Sequence, residues 1–300
     1  VPTPRTPLRQ GPGLMNANMV RRVAFALVAI PAALAIVWQG GWWLTGLVSL
    51  IAVLGVREVY RFARQKGTRP FGGIGLPVAA LVPVCAWLAI GPEQWPWTDY
   101  LLFAPLALLG LLVVALATRK PDQHPMASVA ITWFGVAYAA VLPSFLLALR
   151  HGNGLGERSW QGVWLTFFPL VLTWACDTAA MFGGKLLGGA KLAPVVSPGK
   201  TWSGTIVGAL AAIAVAPGFY ALALKPFGVM LSLWQVLLLG AAVGVIGQVG
   251  DLAESLLKRE AGMKDSSDII PGHGGVLDRF DSLYFVLPTA VALYRAFGLL

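Results

Sequence analysis

Long apolar stretches separated by short polar segments recur along the whole chain. Nine of them measure roughly 16 to 23 residues, near the ~20 that an α-helix needs to cross a bilayer. The pattern predicts an all-α, polytopic membrane helix bundle with about nine transmembrane helices. The predicted spans cover approximately residues 23–39, 42–56, 74–91, 99–117, 127–149, 162–181, 204–224, 230–250 and 282–299.

The basic residues indicate which loops face the cytoplasm, because lysine and arginine are retained on that side of a membrane. Of the 22 lysines and arginines, 18 fall on one side of the predicted layout and four on the other. We therefore expect a cytoplasmic N-terminus, an external C-terminus and a cytoplasmic segment at Asp251–Asp281.

The chain divides into three predicted parts. Residues 1–22 contain Pro, Gly and Arg without apolar periodicity, so we expect a disordered cytoplasmic segment, and the natural start is left open among Val1, Met15 and Met19. Residues 23–149 form the N-terminal spans, and residues 150–300 form a C-terminal transmembrane region that carries most of the candidate chemistry.

Composition argues against several classes of function. The chain is 57% hydrophobic and 12% charged, with a mean hydropathy of +0.73 and a net charge of +9. Attraction to anionic lipid headgroups accounts for this charge, and no nucleic-acid-binding module is visible in the sequence. Cys85 and Cys176 both fall within predicted spans, so neither a disulfide framework nor a zinc site is supported.

One segment concentrates the ionisable residues. Asp251–Asp281 contains seven of the 13 acidic residues, four of the 22 basic ones and a histidine, which suggests chemistry on a charged substrate. Polar residues at i, i+3, i+4 and i+7 share one face of a helix that leaves the eighth span, and we expect the opposite apolar positions to pack on the bundle. The polar positions are Asp251, Glu254, Ser255 and Lys258, and the apolar ones are Leu252, Leu256 and Leu257.

Two carboxylates stand at the entrance to the ninth span. Asp278 and Asp281 lie three residues apart on one helix face, with Arg279 between them. They would repel each other unless a cation lay nearby, and together with Asp251 they are typical of a Mg²⁺ site. The alternative is an Asp–Arg salt-bridge network at a helix cap. Basic residues beside the acids favour a site for nucleotide phosphates and metal, which needs both kinds of group.

Two other segments contribute candidates. Ser197–Thr201 ends in Gly-Lys-Thr, but Pro194 stands where a P-loop requires its first glycine, so the segment is not a P-loop. Lys200 and Thr201 precede the seventh span, which favours either an anion site or an interfacial lysine beside a helix-capping residue. Asp177 lies near the cytoplasmic end of the sixth span, and an aspartate in a membrane segment usually faces a partner or a cavity.

Several motif elements occur within 27 consecutive positions: Ser255-x-x-Lys258-Arg259, Lys264-Asp265, His273-Gly274-Gly275 and Asp278-Arg279-x-Asp281. This segment resembles the signature of the phosphatidate cytidylyltransferases, also called CDP-diacylglycerol synthases. Further elements that are similar to this family are Asp177-Thr178-Ala179-Ala180, Ser197-Pro198-Gly199-Lys200-Thr201 and Gly250-Asp251-x-x-Glu254-Ser255.

The resemblance implies Mg²⁺-dependent transfer of CMP from CTP to phosphatidate, which gives CDP-diacylglycerol and pyrophosphate in phospholipid biosynthesis. Whether a second cation binds is left open. The implied catalytic residues are Asp251, Asp278, Lys264 and Arg279. The implied metal ligands are Asp251, Asp278, Asp281 and Asp177. The implied contacts to the phosphates of CTP and phosphatidate are Ser197, Lys200, Thr201, Ser255, Lys258, Arg259, His273, Gly274 and Gly275.

The expected partners are CTP, phosphatidate and membrane lipids, and a homodimer is left open. We expect the protein in a bacterial cytoplasmic (inner) membrane, with its site facing the cytoplasm. Two rival functions fit the sequence less well. A CDP-alcohol phosphotransferase would need D-x-x-D-G-x-x-A-R, which this sequence lacks. An ion-coupled transporter would favour acids at the bilayer midplane and related halves, whereas here the acids collect on one face.

Overall fold

Helices account for most of the protein in a computed structural model that describes residues 31–90, 97–154, 156, 159–269 and 274–300. Residues 31–39 belong to helix α1. The other helices are α2 (Gly41–Gln65), α3 (Gly72–Ile90), α4 (Trp97–Thr118), α5 (Pro125–Val136), α6 (Leu142–His151), α7 (Trp160–Leu187), α8 (Trp202–Phe219), α9 (Leu233–Glu260) and α10 (Leu277–Ala296). A π-helical stretch, Ala137–Val141, joins α5 to α6.

Six helical stretches in the described part of the chain are long and apolar enough to cross a membrane. They confirm an all-α membrane protein, whereas the count of nine spans is not confirmed and stays a prediction. The predicted span 23–39 lies partly outside the described residues, and the predicted ninth span lies in α10, whose first turns carry charged residues. The six stretches are Gly41–Gln65, Gly72–Ile90, Pro121–His151, Trp160–Leu187, Trp202–Phe227 and Leu233–Glu260.

Helices α7 to α10 enclose the larger apolar core. Small residues allow α7 and α8 to approach closely, as is common where membrane helices pack. A Cβ on Gly183 would lie 2.7 Å from Val207 Cβ, and one on Gly208 would lie 2.8 Å from the Cys176 carbonyl oxygen. The buried residues of this core include Phe168, Leu172, Val243, Val286 and Tyr294.

Helix α2 packs against the start of α10 through a second core. Val56 and Val59 of α2 share this cluster with Leu277 and Tyr284 of α10. Tyr60 fixes α2 to α5, because its buried hydroxyl donates to the Thr132 carbonyl oxygen at 2.9 Å. These contacts hold the C-terminal end of α2 beside the segment that enters α10.

A short antiparallel hairpin precedes α8, and the all-α prediction did not include it. Its strands are β1 (Lys191–Ala193) and β2 (Ser197–Thr201), with Lys191 opposite Thr201. Thr201 is the N-cap of α8, since its Oγ1 accepts a hydrogen bond from the Gly204 amide at 3.1 Å. This agrees with the helix-capping alternative that the sequence left open, and a contact to phosphate stays a prediction.

Candidate active site

The polar face of α9 points into the protein, and this corrects one prediction about the opposite face. Glu254 is fully buried and Lys258 is 9% exposed, whereas Leu256 is 55% exposed. The expectation that Leu256 packs on the bundle was wrong, although Leu257 does contact the core. In a membrane protein an apolar side chain can face lipid at no cost, and the polar side chains turn inward toward partners.

Lys258 joins two carboxylates at the end of α9. Its Nζ lies 2.6 Å from Glu254 Oε2 and 2.7 Å from Asp278 Oδ1. The first partner is one helical turn back on α9, and the second is in the first turn of α10. The ammonium group therefore fixes the entry of α10 against the end of α9.

Asp278 receives hydrogen bonds on both carboxylate oxygens. Oδ1 accepts from Lys258, and Oδ2 accepts from the Gly275 amide and the Ser266 amide, each at 2.8 Å. The Ser266 hydroxyl also lies 2.8 Å from Oδ2 and donates its one proton either to this oxygen or to Glu58. Burial acts to raise the pKa of Asp278, but these donors outweigh it and hold the pKa below its usual value. Asp278 is thus ionised and surrounded by donors at the N-terminus of α10, just before the predicted span that begins at residue 282.

Glu58 is the main site residue that the sequence did not reveal. It is 1% exposed, although it comes from α2, about 200 residues before the signature. Its Oε2 accepts from the Leu277 amide and the Ser266 hydroxyl at 2.8 Å, and its Oε1 accepts from the Val276 amide at 3.0 Å and from Ser267. An acidic residue just after the predicted second span was the available signal, but nothing in its local spacing connects it to the acids of the C-terminal half.

Gly275 lies where the two carboxylates meet. A Cβ at this position would overlap Ser266 Oγ and Glu58 Oε1. Its neighbour Gly274 has a φ of 80°, and a Cβ there would lie 2.8 Å from Asp278 Oδ2. Both glycines are therefore required by geometry, one by close approach and the other also by its left-handed backbone.

A second group of acids faces Lys200. Lys200 Nζ lies 2.7 Å from Asp251 Oδ2, and the Ser255 hydroxyl donates to Asp251 Oδ1 at 3.3 Å. Burial raises the pKa of Asp281 to about 7, and repulsion from Asp251 and Asp177 contributes to the increase. Asp177, Asp251 and Asp281 therefore lie close enough to repel one another, with Lys200 compensating part of their charge.

The structure divides the predicted metal ligands between these two groups. Asp177, Asp251 and Asp281 interact electrostatically, whereas Asp278 belongs to the network with Lys258 and Glu58. Among the described residues, no three His, Cys, Asp or Glu side chains converge closely enough to form a ready metal site. Metal binding by these residues stays a prediction.

The other predicted site residues differ in their surroundings. Arg259 donates to the carbonyl oxygens of Val196 and Met263, both at 3.1 Å, and so connects α9 to the β-hairpin. Lys264 and Arg279 are exposed and form no ion pair with any residue that the structure describes. Ser197 is partly buried in β2, and His273 lies outside the described residues.

Residues 20–297 match the profile of the cytidylyltransferase family. The chain belongs to the cytidylyltransferase family. Proteins named phosphatidate cytidylyltransferase are similar over almost their full length. The Synechocystis protein is 30% identical over 89% of this chain and 94% of its own. The Bacillus subtilis protein is 31% identical over 94% of this chain and 99% of its own length. The Brucella suis protein is 33% identical over 94% of this chain and 93% of its own length.

The cytidylyltransferase match is not confined to the C-terminal signature. It begins at residue 20 and therefore includes α2, which provides Glu58, as well as the segment from Ser255 to Asp281. The network that joins Glu58 to Asp278 lies wholly within the matched region. The division of this cytidylyltransferase chain into parts at residue 150 stays a prediction.

Proposed function

We propose that this protein transfers CMP from CTP to phosphatidate, giving CDP-diacylglycerol and pyrophosphate for phospholipid biosynthesis. Family membership and the three named relatives support this function. The observation that carries it is the position of two lysine–carboxylate pairs, Lys200–Asp251 and Lys258–Asp278, around the C-terminal half of membrane helix α9. A site at the end of a membrane helix is open both to a lipid phosphate and to a nucleotide in water.

The reaction is a displacement at the α-phosphorus of CTP. A phosphate oxygen of phosphatidate forms the new P–O bond, the bond from the α-phosphorus to the bridging oxygen breaks, and pyrophosphate leaves with that oxygen. The phosphate nucleophile is already ionised near neutral pH, so no general base is needed. Catalysis then depends on aligning the two phosphates and neutralising their charge.

The chain offers two sets of groups for these tasks. Lys264 and Arg279 are exposed cations within the signature and would bind substrate phosphates directly. Lys200 and Lys258 are held by carboxylates, so their positions are fixed before substrate arrives. We assign Lys264 and Arg279 to neutralising the charge of the substrates. We assign Lys200 and Lys258 to orienting the carboxylates and the ends of the helices.

Mg²⁺ fits the acidic group beside Lys200 better than the group around Asp278. Asp177, Asp251 and Asp281 supply hard carboxylate oxygens that repel one another, and magnesium is commonly held by one or two carboxylates together with substrate phosphates. When bound there, the ion would supply charge neutralisation to the phosphates. Asp278 already pairs with Lys258 and accepts from two backbone amides, which favours a salt-bridge role for this residue, with Lys258 as the partner in place of Arg279.

The proposed setting is a bacterial cytoplasmic membrane, with the site on the cytoplasmic side. The named relatives are bacterial, and the predicted side that contains the signature also contains 18 of the 22 lysines and arginines, which supports this orientation.

The direct test supplies purified protein with labelled CTP, phosphatidate and Mg²⁺. Lipid-linked CMP and pyrophosphate are expected in equal amounts. Release of inorganic phosphate without a labelled lipid would indicate hydrolysis and contradict the proposed function. Reactions without phosphatidate and reactions with diacylglycerol in its place are the controls.

A further inference from the structure

A cleft of about 410 Å³ opens at the C-terminal end of α2, beside the segment that leads to α10. Arg57, Arg61 and Arg64 line one wall at the spacing i, i+4, i+7, so they share one face of the helix. Residues 267–269 and the buried Glu58 also line this cleft. None of these arginines belongs to the signature that the sequence revealed.

The three guanidinium groups have no partner among the described residues. Each arginine is exposed, and none forms an ion pair or a hydrogen bond with any described side chain or carbonyl. Asp268 lines the same cleft without coming within ion-pair distance of them. Three like charges on a concave wall produce a positive potential that a small anion with several oxygens would neutralise.

An arginine-rich surface at a membrane boundary has a simpler interpretation, namely retention of α2 on the cytoplasmic side. Two features distinguish this surface from such an anchor. The arginines face a cavity, and the cavity shares Ser267 with the buried network, because the Ser267 hydroxyl donates to Glu58. A ligand here would therefore contact the same segment that holds Asp278.

We propose that the Arg57–Arg61–Arg64 cleft binds a phosphate-bearing anion. One guanidinium group can donate two parallel hydrogen bonds to two oxygens of a phosphate. Three such groups along two helical turns can therefore bind a ligand that carries one doubly charged phosphate or two adjacent phosphates. The same chemistry is offered by a water-soluble diphosphate or by the headgroup of an anionic lipid. The proposal rests on the geometry of the cleft and does not require the proposed reaction.

Binding is measured without turnover, in detergent, with inorganic pyrophosphate or dihexanoyl phosphatidate as the probe and dihexanoyl phosphatidylcholine as the neutral lipid. Arg61→Gln is compared with Arg69→Gln, which removes the same charge from an exposed arginine that does not line the cleft. Arg61→Gln should weaken binding of at least one phosphate probe by about tenfold relative to Arg69→Gln, since one charge-assisted pair of hydrogen bonds is lost. Equal unfolding temperatures without ligand establish that both variants are folded.

Protection from phenylglyoxal, read by peptide mass spectrometry, locates the ligand. A probe bound in the cleft should protect Arg57, Arg61 and Arg64 while leaving Arg69 reactive. Weakening for pyrophosphate alone identifies a water-soluble source, and weakening for phosphatidate alone identifies a lipid headgroup. Equal affinities of the two variants for both probes, or no protection of the three arginines, would overturn the proposal. Failure of the proposed reaction would appear separately, as wild-type protein that binds the probes and forms no CDP-diacylglycerol.

Discussion

The Ser266 hydroxyl lies 2.8 Å from Glu58 Oε2, across 208 positions of sequence. The same oxygen lies 2.8 Å from Asp278 Oδ2. A hydroxyl has a single proton, so Ser266 can donate to only one of these carboxylates at a time, while its backbone amide remains bound to Asp278. This serine therefore couples α2 to the start of α10, and the N-terminal half of the chain becomes part of the site.

Replacement of Glu58 tests that coupling. In Glu58→Gln one carboxylate oxygen becomes an amide NH₂, which would face backbone or hydroxyl donors instead of accepting from them. We expect the free energy of unfolding to fall by about 1–3 kcal/mol, the cost of leaving buried donors unsatisfied. Turnover should fall as well, because Ser266 and Leu277 position Asp278. Thermal unfolding in detergent and kcat under saturating substrates are the two measurements.

Glu260→Gln is the matched control, since Glu260 is an exposed glutamate at the end of α9. It should leave both quantities close to wild type. A Glu58→Gln protein with wild-type stability and kcat would show that the contacts of Glu58 contribute to neither.

Gly275 provides a second test of the same network. Gly275→Ala places a methyl group against Ser266 Oγ and Glu58 Oε1, so the segment before α10 must shift. We expect a loss of stability of about 1–3 kcal/mol and a larger relative loss of kcat than of apparent affinity for CTP. Gly73→Ala in α3 meets no atom within 4 Å and should be neutral or slightly stabilising. Equal behaviour of the two variants would contradict the crowding argument.

The hydrophobic pattern predicted much of the helical architecture because apolar stretches of membrane length have few alternative structures. It predicted the helix that carries Asp251 through Lys258, whereas it left open whether the segment before α8 supplies a helix cap or an anion site. It placed Leu256 on the wrong side, because amphipathicity alone does not tell whether the apolar face meets a core or lipid.

Sequence patterns also found Asp251, Lys258 and Asp278, since their spacing is local. The ion pairs that these residues form could not be predicted from local spacing. Whether Lys258 contacts Glu254, Asp278 or substrate depends on how α9 and α10 pack, and Glu58 reaches the site only through tertiary contacts of α2. Long-range contacts of this kind leave no periodic signal in a single sequence.

The orientation in the membrane can be tested with cysteine probes at the two ends of α9. Asp265→Cys follows its C-terminal end and Lys225→Cys precedes its N-terminal end, and both positions are exposed. With Cys85 and Cys176 replaced by serine, an impermeant maleimide should label Lys225→Cys in intact cells and Asp265→Cys only after permeabilisation. Labelling of both from one side would contradict the predicted topology.

The roles of the two acidic groups can be separated by paired variants. Asp251→Asn removes a carboxylate from the group proposed to hold Mg²⁺, so the Mg²⁺ concentration for half-maximal activity should rise by at least about tenfold. Asp278→Asn instead removes a partner of Lys258 and an acceptor for Ser266. Its cost should appear as a lower unfolding temperature, because a buried ion pair loses one member.

The decisive comparison is the Mg²⁺ requirement of Asp278→Asn. If Asp278 only holds α10 against α9, the residual activity of this variant should keep the wild-type half-saturating Mg²⁺ concentration, even where kcat is reduced. A variant with wild-type stability and a strongly raised Mg²⁺ requirement would establish Asp278 as a ligand and reject the salt-bridge role. Turnover that is independent of divalent cations in the wild type would reject the metal site as a whole, and Lys200 would then be the group that compensates the negative charge of Asp177 and Asp251.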